Sequence, residues 1–158
     1  THLLICGRSQ DKWLRKKISI EADKNENIHF VPRYLDGLEM RKTLNTFNCL
    51  ILPVSLKSGL NSGSLILGLS YGLNVIISNI PMGEEISSKY SSVFTYEYGN
   101  KREHTTSLSK VMESVYEKWL NKKELFLENG EKGKKDYLKN NNWGSVIDRL
   151  TSFYNELL

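Results

Sequence analysis

The chain has 158 residues, of which 39% are hydrophobic and 25% charged, and its net charge is +4. This composition is typical of a soluble globular domain with a core of its own, and it excludes an intrinsically disordered chain. No apolar run reaches the ~20 residues that a membrane helix needs, and the mild basic bias does not indicate a nucleic-acid-binding protein.

The first part of the chain alternates short apolar runs with helical patterns. Each apolar run is ended by a glycine or a proline, which predicts a strand followed by a turn. The elements expected in order are a strand over 3–6, a short basic helix over 11–18, a strand over 28–31, a helix that begins at the capping-box pair Asp36 and Glu39, and a strand over 49–52.

The remainder continues the alternation and then becomes helical. The elements expected in order are a buried helix over 64–71, a strand over 74–78, a helical turn over 82–88, a strand over 93–96 and three helices. Apolar residues at helical spacing between Leu108 and Trp119, and again between Trp143 and Leu157, predict two amphipathic helices. Between them, residues 124–139 predict a weaker helix that contains two glycines.

The distribution of charge indicates how these elements pack. Residues 49–100 carry five charged side chains, against fifteen in 1–48 and twenty in 101–158. A charge-poor centre is what a parallel sheet covered on both faces requires. The sequence therefore predicts an α/β fold, a Rossmann-like doubly wound parallel sheet of about five strands with a C-terminal helical tail, formed as one domain over 1–158.

Cysteine and histidine residues give no support to a metal site. Cys6 and Cys49 lie within apolar strands without CxxC spacing, so they are interpreted as buried free thiols in a reducing compartment. His2, His29 and His104 have no ligand spacing and are interpreted as strand filler or solvent-exposed residues. We therefore expect a protein that needs no metal.

In a doubly wound sheet, ligands bind beyond the carboxyl ends of the strands. The loops expected at that edge span residues 7–10, 32–36, 53–63, 79–83 and 98–105. Any binding site or chemistry is expected there.

The segment Asn61-Ser62-Gly63-Ser64 opens the uncharged helix over 64–71. The first N–H groups of a helix lack internal partners and carry the positive end of its dipole, and the segment's glycine lets a ligand approach them. This arrangement suits a diphosphate, held by residues 61–64 and the next amide, that of Leu65. The same residues also fit an ordinary serine N-cap after a flexible loop, and the local sequence alone favours that interpretation.

Other candidate binding residues follow the first three strands. Gly7 and Arg8 come directly after the first strand, so the arginine is either an anion ligand or a solvated side chain. Lys57 either meets phosphate or faces water. A nucleotide base is a candidate ligand of Arg33, Tyr34 and Leu35, although the tyrosine is as readily explained by packing. No nucleophile elbow, catalytic triad or carboxylate pair is present, so no catalytic residue is assigned.

The order of these landmarks resembles the C-terminal, nucleotide-sugar-binding domain of family 4 glycosyltransferases of the GT-B architecture. The resemblance spans nearly the whole chain and is carried by the segments LLICG (3–7), NIHFV (27–31), FNCLILP (47–53), GLNVIIS (72–78) and the tail from Asn142-Trp143 to Tyr154. Two glutamates of the usual family pattern are absent, at the places of Gly59 and Leu67. The Ser62-Gly63-Ser64 opening is similar to that of a subset of these enzymes.

The resemblance implies a function for the chain. It implies the donor-binding half of a retaining, metal-independent glycosyltransferase of hexosyltransferase type, which uses a nucleoside-diphosphate sugar. The acceptor would be a glycan or lipid-linked molecule in polysaccharide, O-antigen or capsule synthesis, held by an N-terminal domain outside these residues. It also implies that the isolated domain is inactive alone and cytoplasmic, with the basic faces at 12–17 and 132–135 against the inner membrane or simply solvated. A non-catalytic α/β interaction module is the alternative expectation.

Overall fold

The computed structural model describes residues 1–55 and 62–157, which form five β-strands and seven α-helices. The strands are β1 (Leu3–Cys6), β2 (Ile28–Val31), β3 (Cys49–Leu52), β4 (Asn74–Ser78) and β5 (Val93–Tyr96). The helices are α1 (Lys12–Lys24), α2 (Gly37–Thr46), α3 (Gly63–Ser70), α4 (Pro81–Lys89), α5 (Lys101–Asn121), α6 (Lys123–Asn140) and α7 (Trp143–Leu157). The α/β class, the five strands and the C-terminal helices are confirmed.

The strands pair in parallel, as predicted, but form two hydrogen-bonded sheets rather than one. One sheet has the order β1-β2 and the other the order β3-β4-β5. The chain also divides into two compact units, Thr1–Asn45 and Thr46–Leu158. The fold is broadly Rossmann-like, whereas a single domain over the whole chain stays a prediction.

The first unit contains the two-stranded sheet, in which Leu3 lies opposite Ile28 and Cys6 opposite Val31. The α1 helix packs against β2 and is capped by Asp11, whose carboxylate accepts from the N–H groups of the second and third helical residues. It continues six residues past the predicted end at residue 18, because segment 19–24 adds the apolar residues Ile20 and Ala22 and contains no glycine or proline that would break a helix. Asp36 and Glu39 form the predicted capping box.

The second unit has a three-stranded sheet covered on both faces. On one face, Val75 and Ile77 of β4 pack with Leu65 and Leu69 of α3. On the other face, a second cluster joins Ile76 to side chains of α5 and α6. Every residue of β4 is buried, which explains why the centre of the sequence carries so little charge.

Helix α6 approaches the β4 strand unusually closely, because two glycines lie on its inner side. A Cβ at Gly130 would overlap the carbonyl oxygen of Gly72, and a Cβ at Gly133 would lie 2.5 Å from the Ser92 Oγ. The amide of Asn74, 1% exposed, donates to the carbonyl of Phe126 at 2.8 Å. Glycine has a low helix propensity, but at these two positions it allows α6 to pack closely against the rest of the second unit.

The C-terminal helices follow the predicted stripes. In α5, Val115 is buried, and Leu108, Val111 and Trp119 pack against its cluster. Helix α7 forms as predicted, but its apolar face stays exposed over the described residues, with Ile147, Leu150, Phe153 and Tyr154 all more than half exposed.

Two predictions at element boundaries and strand ends are wrong. Helix α5 begins at Lys101, inside the predicted loop 98–105, because Asn100 and Glu103 form a capping box that the apolar periodicity does not reveal. Cys6 is exposed rather than buried, because it is the last residue of β1, a strand that pairs with β2 alone among the described strands. Cys49 is half-buried, and burial raises the pKa of its thiol to about 12.

Candidate functional site

The N-terminus of α3 has two amides that find no partner in residues 1–55 and 62–157. Ser62 is the N-cap, and its Oγ and carbonyl oxygen both accept from the Leu65 N–H, at 3.3 and 3.1 Å. The N–H groups of Gly63 and Ser64, both exposed, have no acceptor among the described residues. A Cβ at this glycine would meet nothing within 4 Å, so a ligand can approach the backbone. The two amides can therefore bind an anion.

A contact to the first turn of α4, which follows β4, holds this helix end at the carboxyl edge of the sheet. The N–H of Ser62 donates to the Met82 Sδ of α4 at 3.1 Å. The hydroxyl of Ser78, at the end of β4, donates to the carbonyl of Val54 just after β3 at 2.5 Å. The predicted position of a ligand site in this fold class is thus the position of the α3 N-terminus.

The first turn of α3 carries no acidic side chain. The first turns of α4, α5 and α6 each hold a glutamate, which already neutralises the positive end of the helix dipole. Among these four helices of the second unit, α3 has the N-terminus best suited to an external anion.

Three further residues near this helix end are predicted to bind the diphosphate. Lys57 and Asn61 lie outside the described residues. Leu65 is fully buried, and its amide is used by the serine cap. The prediction that this amide binds a ligand is therefore wrong, and the cap leaves only the two preceding amides for a ligand.

In the first unit, Gly7 and Arg8 follow β1 as predicted. Gly7 has a φ of +140°, a backbone conformation that residues with a side chain rarely adopt. Its N–H donates to the Val31 carbonyl at 3.1 Å. The arginine is exposed and makes no ion pair or hydrogen bond with the described residues. Its guanidinium is available to an anion, and its role as a donor ligand stays a prediction.

The three predicted base-binding residues differ in what their side chains contact. Arg33 makes two hydrogen bonds of 2.7 Å to the carboxylate of Glu39. Tyr34 is 73% exposed, and Leu35 is half-buried. Within this trio, the tyrosine ring is the side chain available for stacking on a base.

The ion pair also carries a pH dependence. Hydrogen bonds from Arg33, and then from the Asp36 N–H, lower the pKa of Glu39 from 4.5 to about 2. Because the pKa of Glu39 in the folded chain lies below its ordinary value, the stabilisation is complete above about pH 4.5 and is lost as the pH falls toward 2.

We expect Glu39→Gln to lower the free energy of unfolding at pH 6 and to have little effect near pH 2, measured by chemical denaturation. Glu26→Gln, which breaks no described ion pair, is the control; an equal gap at both pH values would contradict the assignment.

The sequence did not reveal a cluster of rings at the end of β5. His104 of α5 is half-buried, with its ring centroid 5.3 Å from that of Tyr96 and 4.6 Å from that of Tyr98. Burial raises the pKa of Tyr96 to about 12. The expectation that this histidine is strand filler or solvent-exposed is wrong, because helix α5 begins early enough to carry it onto the sheet edge.

Over residues 1–55 and 62–157, no three His, Cys, Asp or Glu side chains lie together as metal ligands. None of the helices in the same residues is both long and apolar enough to cross a membrane.

Comparison with models of known protein families gives no match for this chain, and comparison with curated proteins gives none either.

Proposed function

We propose that this chain is the donor-binding part of a glycosyltransferase that uses a nucleoside-diphosphate sugar. The observation that carries the proposal is the N-terminus of α3 at the carboxyl edge of a parallel sheet. Its first turn holds no acidic side chain, and the exposed amides of Gly63 and Ser64 have no acceptor in the described part of the chain. The resemblance of the ordered strands and of Ser62-Gly63-Ser64 to GT-B enzymes of family 4 adds the sugar-transfer reaction.

In the proposed reaction, the bond between the anomeric carbon and the diphosphate oxygen breaks, and the diphosphate leaves with the electron pair. An acceptor hydroxyl, held outside these residues, forms the new bond with retention, and its proton passes to the departing diphosphate. The amides of α3 stabilise the negative charge that develops on the leaving group. Lys57 is proposed to add positive charge. No metal is invoked in this proposal.

The proposal also includes a cellular location for the protein. A lipid-linked acceptor would require the enzyme at the cytoplasmic face of a membrane, against which the basic faces at 12–17 and 132–135 would lie. Sugar transfer by these 158 residues alone is expected to be slight, because the proposal places the acceptor outside them.

A titration with nucleotides tests the proposal. We expect uridine, guanosine or adenosine diphosphate to bind in the millimolar range or tighter, and about tenfold more tightly than the matching monophosphate, measured by calorimetry. Lys57→Gln should weaken this binding, whereas Lys110→Gln, which removes the same charge from an exposed position of α5, should not. Absence of binding by all three diphosphates would overturn the proposal.

The second candidate is an interaction module, favoured by the exposed apolar face of α7. This function requires no ligand at the α3 N-terminus. Binding to a protein partner that is lost in Leu150→Glu and unaffected by Ser64→Asp would favour it over the transferase.

A further inference from the structure

The N–H of the Ser62 cap has a sulfur atom as its acceptor. It donates to the Met82 Sδ of the neighbouring helix α4, with the nitrogen and the sulfur 3.1 Å apart. Ser62 is only 9% exposed, so this N–H is shielded from water and needs a partner inside the protein. A thioether is a weak hydrogen-bond acceptor and carries no charge. The contact therefore satisfies the cap N–H without placing a negative charge at the helix end.

Helices α2 and α5 satisfy the same N–H group with a carboxylate instead. At α2, the N–H of Asp36 donates to the Glu39 carboxylate at 3.0 Å. At α5, the N–H of Asn100 donates to the Glu103 carboxylate, also at 3.0 Å. In both capping boxes the glutamate is the third helical residue, so its charge lies beside the first N–H groups of the helix. An anionic ligand at such a helix end would be repelled by that carboxylate.

Helix α3 does not have this arrangement, because its third residue belongs to the core. That residue is Leu65, which is fully buried in the cluster that also contains Leu69 and Val75. A glutamate there would lose the apolar packing and bury a charge. Met82 is half-buried and packs against the same cluster, which holds its side chain where the sulfur reaches the cap.

We propose that Met82 is a positioning residue of the α3 N-terminus, an uncharged substitute for the capping-box glutamate. Its sulfur accepts the N–H of Ser62, and the serine hydroxyl accepts the N–H of Leu65. Between these two bonds lie the exposed amides of Gly63 and Ser64, which meet no acceptor in residues 1–55 and 62–157. The role in binding rests on the proposed function, because it requires an anionic ligand at these two amides.

Three substitutions at residue 82 separate the acceptor from its charge. Met82→Gln keeps an uncharged acceptor of similar length, Met82→Glu adds a charge to the same shape, and Met82→Leu keeps the apolar bulk without an acceptor. The probe is inorganic pyrophosphate, titrated by calorimetry into the 158-residue chain. We expect the glutamate variant to bind it about tenfold more weakly than the glutamine variant, yet to be no less stable, because a carboxylate suits a helix N-terminus. A purely structural role would change affinity and stability together.

Hydrogen exchange of the Ser62 amide, measured by NMR, tests the contact without any ligand. Exchange should be about tenfold faster in Met82→Leu than in the native chain, and close to the native rate in Met82→Gln. If the leucine variant exchanges this amide as slowly as the native chain, the sulfur does not hold the cap and the proposal is overturned. If the glutamate variant does not fold, the exchange rates of the other two variants decide the outcome.

The titration distinguishes failure of this proposal from failure of the proposed function. Pyrophosphate binding with equal affinity in the glutamine and glutamate variants would overturn the role of Met82 alone. A native chain that binds neither pyrophosphate nor any of the three nucleoside diphosphates would overturn the proposed function, and the role of Met82 in binding with it.

Discussion

Replacing Gly130 with alanine is expected to destabilise the second unit by about 3 kcal/mol or more, because the added methyl group meets backbone rather than a side chain. The new Cβ would overlap the Gly72 carbonyl oxygen and lie 3.4 Å from the Asn74 Nδ2. Neither α6 nor the turn after α3 can move away without breaking the Asn74 bond to the Phe126 carbonyl. Chemical denaturation measures the loss.

The matched control for this prediction is Gly63→Ala, also within a helix of the second unit. Its Cβ would meet nothing within 4 Å, so the free energy of unfolding should change by about 0.5 kcal/mol or less. Helix propensity alone predicts that alanine stabilises both positions. A Gly130→Ala variant as stable as the native chain would show that α6 does not pack this closely.

Replacing Ser64 with aspartate is expected to have opposite effects on folding and on ligand binding. A carboxylate in the first turn of α3 complements the helix dipole, so the free energy of unfolding should rise by about 0.5 kcal/mol. The same charge repels a diphosphate at the neighbouring amides, and affinity should fall roughly 30-fold, or about 2 kcal/mol.

Ser64→Asn separates charge from shape, because asparagine has nearly the same size and no charge. It should keep most of the affinity for nucleoside diphosphates in the calorimetric titration. If the aspartate and asparagine variants bind equally well, the ligand does not lie at this helix end. If aspartate lowers stability, the first turn of α3 is not electropositive.

The strands could be predicted from sequence because each is an apolar run ended by a proline, a glycine or a polar turn. All five have the expected bounds, from Leu3–Cys6 to Val93–Tyr96. The helices were less predictable at their ends, since no glycine or proline marks where α1 ends, and the Asn100 capping box has no apolar period. Local patterns therefore determined the elements better than their limits.

Pairing between distant residues could not be predicted. Nothing local shows that Arg33 binds Glu39, that His104 packs on two tyrosines, or that the glycines of α6 admit β4 and Ser92. The division into two sheets also escaped prediction, because alternation of strands and helices does not specify which strands are neighbours.

The predicted site at Ser62-Gly63-Ser64 could be anticipated in part. The serine is the N-cap that local sequence favours, and in the same geometry the next two amides have no partner within residues 1–55 and 62–157, so the two interpretations are compatible. Sequence could not show that the Leu65 amide is used by the cap, because that depends on the rotamer of the serine.

Amide-resolved NMR of the native chain during titration with a nucleoside diphosphate tests the central claim most directly. The account predicts saturable shifts that are largest at the N–H groups of Gly63 and Ser64 and smaller at the capped amide of Leu65. Saturable binding that leaves the first two amides unshifted, or no response of either amide to uridine, guanosine or adenosine diphosphate at millimolar concentration, would contradict it.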